Sequence, residues 1–173
     1  MRRAVEHVLD RPDEGFREFY LKEHAAVVGL AYALSGNRWL AEDLAQEAFL
    51  AAHRNWGRIS GYEQPSAWVR RVVANLSVSA FRRRVADAKA LARLAVGQVT
   101  TLPELDPDHM EFWRAVRALP RRQAQVVALH YLDDRPIAEI AEILGMAPGT
   151  VKKHLFDGRR ELAHRLTLEE DEA

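Results

Sequence analysis

The sequence predicts an all-α protein made of two small helical domains, residues 13–94 and 109–166, joined by a flexible linker at 95–108. Three observations carry this. Apolar residues recur at three- and four-residue steps along most of the chain, the period of a helix with one buried face. No stretch alternates apolar and polar residues as a half-buried strand would, and no segment repeats another. One segment, "VGQVTTLPELDPDH" (96–109), interrupts the helical pattern with a glycine, β-branched residues and two prolines.

Taken in order, Phe16, Tyr20, Val27, Leu30, Ala31 and Leu34 form the apolar face of a first helix that ends near "SGN" (35–37). Asn37 suits the N-cap of a second helix, from Trp39 to about Trp56. "GRISGYEQ" (57–64) reads as a loop, and Pro65 fits the first turn of a third helix that runs past Arg84 to about Leu94. On that helix Val69, Val72, Val73, Leu76 and Ala80 cluster on one side. Arg71, Asn75 and Arg82 share a narrow arc roughly opposite. Beyond the linker, helices are expected at 109–118, 121–132, 137–144 and 148–166, with Pro120, "DDRP" and "GMAP" as the breaks.

The last two helices form a helix-turn-helix. Ile137, Ile140, Ala141 and Leu144 face inward on the first, and Val151, Leu155, Leu162 and Leu166 on the second. Ala141 is small where the helices cross, and Gly145 permits the tight turn. Gly158 falls on the apolar side of the last helix, where close packing would justify a loss of about 1 kcal/mol in helix propensity. Asp157 falls on the outward face with Lys153, Phe156, Arg160 and His164. An exposed phenylalanine among cations suits a surface that meets a thymine methyl.

Charge is balanced overall, with 25 basic and 25 acidic residues, but not locally. Residues 65–85 hold five arginines and no acid, while the tail "LEEDEA" concentrates acids at the end. Local patches, not net charge, set binding to a polyanion. The absence of cysteine excludes disulfides, thiol catalysis and thiolate metal sites. The seven histidines are scattered, and no HExxH, glycine-rich phosphate loop or GxSxG is present. No enzyme, cofactor or metal site is expected. The start, "MRRAVEHVLDRPDE", lacks the apolar core of a signal peptide, and no run approaches the roughly 18 apolar residues of a membrane span. A soluble, cytoplasmic protein without a membrane partner is expected.

"LPRRQAQVVALHYLDDRPIAEIAEILGMAPGTVKKHLFDGRREL" (119–162) resembles region 4 of bacterial sigma factors, which reads the promoter −35 element. "LAEDLAQEAFLAAHRNW" (40–56) resembles region 2.2, and "AWVRRVVANLSVSAFRRR" (67–84) resembles region 2.4. Their order and the short linker in place of region 3 resemble the extracytoplasmic-function (ECF) group of the sigma-70 family, over roughly residues 13–166. The resemblance implies a protein that joins core RNA polymerase, at the β′ clamp helices and the β flap, and directs it to promoters.

Carried over residue by residue, Asp43, Gln46 and Glu47 would make polar contacts with polymerase, with Leu44 and Phe49 on the apolar side. Arg71, Asn75 and Arg82 would face the −10 element, and Arg83 and Arg84 would contact phosphates. Tyr62, with Arg58 and Gln64, lies in the loop where the family captures a flipped base. Thr150, Lys152, Lys153, Phe156, Asp157 and Arg160 would meet the −35 element. Two positions depart from the pattern: Ser79, where an acid is frequent, and Asp157, where a basic residue is usual. An anti-sigma protein, which in this group wedges between the two domains, would be a further partner. The alternative from the residues alone is a stand-alone helix-turn-helix regulator, which would bind duplex DNA unaided, often as a dimer.

Overall fold

The computed structural model describes residues 12–92 and 107–171, and among these every regular element is a helix. In chain order they are α1 (Pro12–Ser35), α2 (Arg38–Arg54), α3 (Trp56–Ile59) and α4 (Pro65–Ala92), then α5 (Pro107–Ala118), α6 (Arg121–Tyr131), α7 (Ile137–Leu144) and α8 (Pro148–Asp171). The expected linker falls mostly outside the described residues, as do Arg93 and Leu94. Residues 107 and 108, assigned to that linker, open α5 instead.

Each junction has a local cause. Asn37 caps α2, its side-chain oxygen accepting from the Leu40 amide at 2.8 Å. α1 ends at Gly36, which adopts the left-handed conformation (φ 71°) and returns its amide to the Tyr32 carbonyl at 2.8 Å. α7 ends in a Schellman turn: Gly145 is left-handed (φ 63°), its amide reaches Glu142, and the Met146 amide reaches Ala141. Pro148 then starts α8, the first-turn position where a missing amide costs nothing.

Two expectations fail. The second helix does not reach Trp56, because Asn55 leaves helical geometry and its side chain bonds back to the Ala51 carbonyl. The chain restarts as α3, so Arg58 sits on a short helix and only residues beyond it form the loop. The last helix does not end at Leu166 either, since α8 continues to Asp171.

α1, α2 and α4 pack as one bundle, and α5 to α8 as a second. The first is filled by Val27, Leu30, Leu34, Phe49, Val69 and Val73, the second by Val116, Val127, Leu129, Ile140, Ile143 and Val151. Gly158 allows α8 to lie against α6. A Cβ there would stand 3.0 Å from a Val127 methyl. The two bundles are not separate bodies. α1 packs on α5 and α6, α4 packs on α7 and α6, and the buried apolar residues form one contiguous cluster.

Candidate nucleic-acid and polymerase interfaces

The outward face of α8 is where the sequence places it. Thr150, Lys152, Lys153 and Arg160 are exposed, and Phe156 is 66% exposed. Among the described residues neither lysine nor Arg160 has an ion-pair partner, which leaves a bare cationic strip flanking an aromatic. Such a strip attracts phosphate, and release of counterions strengthens the attraction at low salt. The helix is held from behind. Arg159 donates from Nε to the Tyr131 hydroxyl and lies 5.4 Å from that ring's centre. Arg159 escaped the sequence reading because its partner lies on another helix.

Asp157 corrects the sequence reading. It is half-buried rather than fully outward, in a cleft with Arg82 of α4, Pro120, Gln123 and Arg160. No ion pair joins it to Lys153 or Arg160, and the neighbouring Glu161 is taken by Arg165 at 2.9 Å. The α5–α6 junction, with Ala118, Leu119, Pro120 and Gln123, stands against α8 at this position, which a single-helix projection does not register.

α2 presents Asp43, Gln46 and Glu47 to solvent on one face, with no ion pair to either acid among the described residues. The apolar assignments need correction. Leu44 is 6% and Phe49 3% exposed, so both seat α2 in the core and offer a partner little surface. The apolar residue on the acidic face is Leu50, 56% exposed, three positions after Glu47 and four after Gln46. Leu50, Gln46 and the edges of Phe16, Tyr20, Phe49 and His53 line a shallow apolar groove beside the acids.

On α4 the structure divides the expected arc. Arg82, Arg83 and Arg84 are exposed, and Tyr62 is exposed at the loop. Arg71 and Asn75 are engaged by the second bundle. Arg71 donates to the Ile143 and Glu142 carbonyls at the end of α7, both at 2.5 Å. Asn75 accepts from Arg121 at 2.6 Å and from Gln125 at 3.0 Å.

The sequence reading also missed Arg70, 1% exposed. Its guanidinium grips Asp133 at 2.5 and 3.3 Å, Glu23 at 2.7 Å and the Ser66 carbonyl at 3.3 Å. Asp133 also accepts from Arg135 at 2.9 Å, and Arg135 reaches Glu139 at 3.0 Å. Burial pushes the Arg135 guanidinium down, but its bonds to Glu139 and Asp133 and their charges outweigh this and raise it. The available signal was the helical spacing of Arg70 with the small residues Ala74 and Ser77, which the structure buries together.

Arg117 of α5 reaches the opposite way, donating to the Ala33 carbonyl at the end of α1 at 3.0 Å. Its guanidinium lies so close to Gly36 that a Cβ there would stand 2.8 Å from Nε. Burial lowers this guanidinium; Tyr32 raises it, and Arg114 and Arg84 lower it further.

Comparison with known proteins agrees with this architecture. The family model described as "Sigma-70 region 2" matches residues 19–86, and that described as "Sigma-70, region 4" matches 109–162. The chain is 27% identical to the ECF RNA polymerase sigma factor SigW of Bacillus subtilis, over 96% of each chain. It is 28% identical to the ECF sigma factor SigM of Mycobacterium tuberculosis, over 87% of this chain and 76% of that one. Among solved structures it is similar to the sigma factor RpoE in complex with the anti-sigma factor NepR from Bartonella quintana, with TM-score 0.66 and 24% identity. That match covers 89% of this chain and 98% of the other. CnrH in complex with the cytosolic domain of CnrY gives TM-score 0.65 and 19% identity over 90% of each. With both regions in order along one all-helical chain, the protein belongs to the ECF group of the sigma-70 family.

Proposed function

We infer that this chain is an RNA polymerase sigma factor that binds core polymerase and directs promoter recognition and transcription initiation. The observation that carries this is the pairing, in one chain, of the region 2 and region 4 matches. Residues 13–94 act as region 2, residues 95–108 as linker and residues 109–166 as region 4. The exposed acids Asp43 and Glu47, with Gln46 and Leu50 beside them, form the surface for a basic, partly apolar face of the β′ clamp. Region 4 docks on the β flap. Thr150, Lys152, Lys153, Phe156 and Arg160 meet the −35 element, where lysine and arginine read guanine edges and phenylalanine packs on thymine methyls.

At −10, Arg71 and Asn75 face base edges or backbone, and Arg82, Arg83 and Arg84 hold phosphates. Tyr62 stacks on an unpaired base, an interaction worth about 1–3 kcal/mol. Asp157, set among Arg82 and Arg160, weakens indiscriminate attraction to phosphate. The chain needs no catalytic group of its own, since the polymerase supplies the chemistry, and it works in the cytoplasm on the nucleoid. Both solved neighbours are complexes with a second protein, one of them named as an anti-sigma factor, and a partner of that class is proposed here as well.

Affinity purification of the tagged chain from its own cells tests this. Stoichiometric recovery of the β and β′ subunits is expected. Recovery of the chain as a dimer that binds duplex DNA without polymerase would contradict it and favour a stand-alone regulator.

A further inference from the structure

The seam between the two bundles opens at one edge into a cleft of about 530 Å³. Phe81, Arg84 and Ala88 line it from α4, and Arg114 and Arg117, one turn apart, line it from α5. Gly36, where α1 ends, lies beneath Arg117. Three guanidiniums from two helices thus face one concave space that holds a single carboxylate, Asp87. Among the described residues no carboxylate, Asp87 included, forms an ion pair with any of the three.

Like charges gather at a cost, and only part of it is offset within the protein. Arg117 donates from Nη1 to the Ala33 carbonyl at 3.0 Å, and Gly36 leaves its guanidinium room. Arg84 and Arg114 have no hydrogen-bond or ion-pair partner among the described residues. Burial lowers the Arg117 guanidinium, Tyr32 raises it, and the charges of Arg114 and Arg84 lower it further, so the three cations feel one another. An anion bound between them would remove that repulsion.

We propose that this cleft binds a small polyphosphate anion, held by Arg84 from α4 and by Arg114 and Arg117 from α5. The site does not depend on the sigma-factor reading. A guanidinium presents its donors as a planar fork that matches two phosphate oxygens at once. Three forks on facing helices therefore suit a chain of two or three phosphates better than a lone carboxylate. The cleft has the volume of a small-molecule site, in which an apolar wall accompanies a few charged groups. Phe81, part-buried on the α4 wall, offers such a surface beside the cations, so the phosphates of a nucleotide or of free polyphosphate both fit. Duplex DNA fits less well. Its backbone can follow the exposed ridge of Arg82, Arg83 and Arg84, whereas Arg117 is recessed and tied to the end of α1.

The test is isothermal titration of the full chain, without DNA or magnesium, using inorganic tripolyphosphate and ATP as probes. One saturable site per chain is expected, with a rise in melting temperature as ligand is added. Arg114→Gln should weaken binding about ten- to hundredfold, the value of a charge-assisted hydrogen bond. Ala88→Glu, which sets a carboxylate on the α4 wall, should abolish it. Both positions are exposed, so helical circular dichroism should be retained. Arg54→Gln, an equal loss of charge at the far end of α2, should leave the affinity unchanged. Tighter binding of ATP than of tripolyphosphate supports a nucleotide site with the base against Phe81, and equal affinities support a polyphosphate site. Several weak sites per chain, or wild-type affinity in both cleft variants, would overturn the proposal. So would binding of a glutamate-rich peptide or a short single-stranded oligonucleotide at the cleft when tripolyphosphate does not bind.

Discussion

Arg70 and Arg71 are neighbours in sequence with different roles. One step of about 100° separates a guanidinium sealed between two carboxylates from one that caps another helix at the surface. Leu44 and Leu50 show the same divergence on α2, one in the core and one exposed on the acidic face. This gives a paired prediction. Leu44→Ala should destabilise the fold by about 2–5 kcal/mol, read as a lower melting temperature. Leu50→Ala should leave melting within about 0.5 kcal/mol of wild type yet weaken association with polymerase. The reverse pattern in thermal melts and core titrations would show that Leu44, not Leu50, meets the partner. For Asp157, the expected role is charge screening. Asp157→Ala in holoenzyme should tighten binding to all single-base −35 variants and steepen the salt dependence. A loss confined to one base position would show that the carboxylate reads sequence, as an acceptor for a cytosine N4 would.

At the scale of elements, features with a local cause are legible in the sequence. Asn37 as an N-cap, Gly145 as the turn and Gly158 as a packing notch each depend on neighbours within a few residues or on one helix face. α3 is not legible because a single turn leaves no periodic signal, and Asn55 ends α2 through a side-chain bond that composition does not announce. The seam is hidden for a different reason. It is built from arginines, Asn75 and Gln125, residues that an amphipathic projection assigns to solvent, and its partners lie 46 to 84 positions away. For α2 the expected outcome is specific. Reversing Asp43 and Glu47 to lysine should abolish association with polymerase while helical content and melting stay near wild type, because both side chains are exposed. Core titration by fluorescence anisotropy, with circular dichroism alongside, separates the two effects. Retained core affinity would remove α2 from the interface.

On the scale of the whole molecule, two small bundles meet across a seam that joins their buried apolar residues into one cluster and adds ion pairs and hydrogen bonds between them. Residues 12–92 and 107–173, expressed apart, should therefore each melt cooperatively. Each should melt lower than the intact chain, by about 4–8 °C for every 1 kcal/mol of seam stabilisation lost. Equal melting temperatures would mean that the seam contributes nothing to stability. The balanced net charge also acquires a meaning at this scale, since the basic strips on α4 and α8 are local features that a polymerase-bound chain can present together. The account's central claim is that this chain gives polymerase a promoter specificity that neither has alone, and run-off transcription from a genomic fragment library tests it most directly. Core polymerase with the chain should start at discrete sites that share one pair of −35 and −10 sequences, while core alone and chain alone yield none. Starts that are the same with and without the chain would contradict the account.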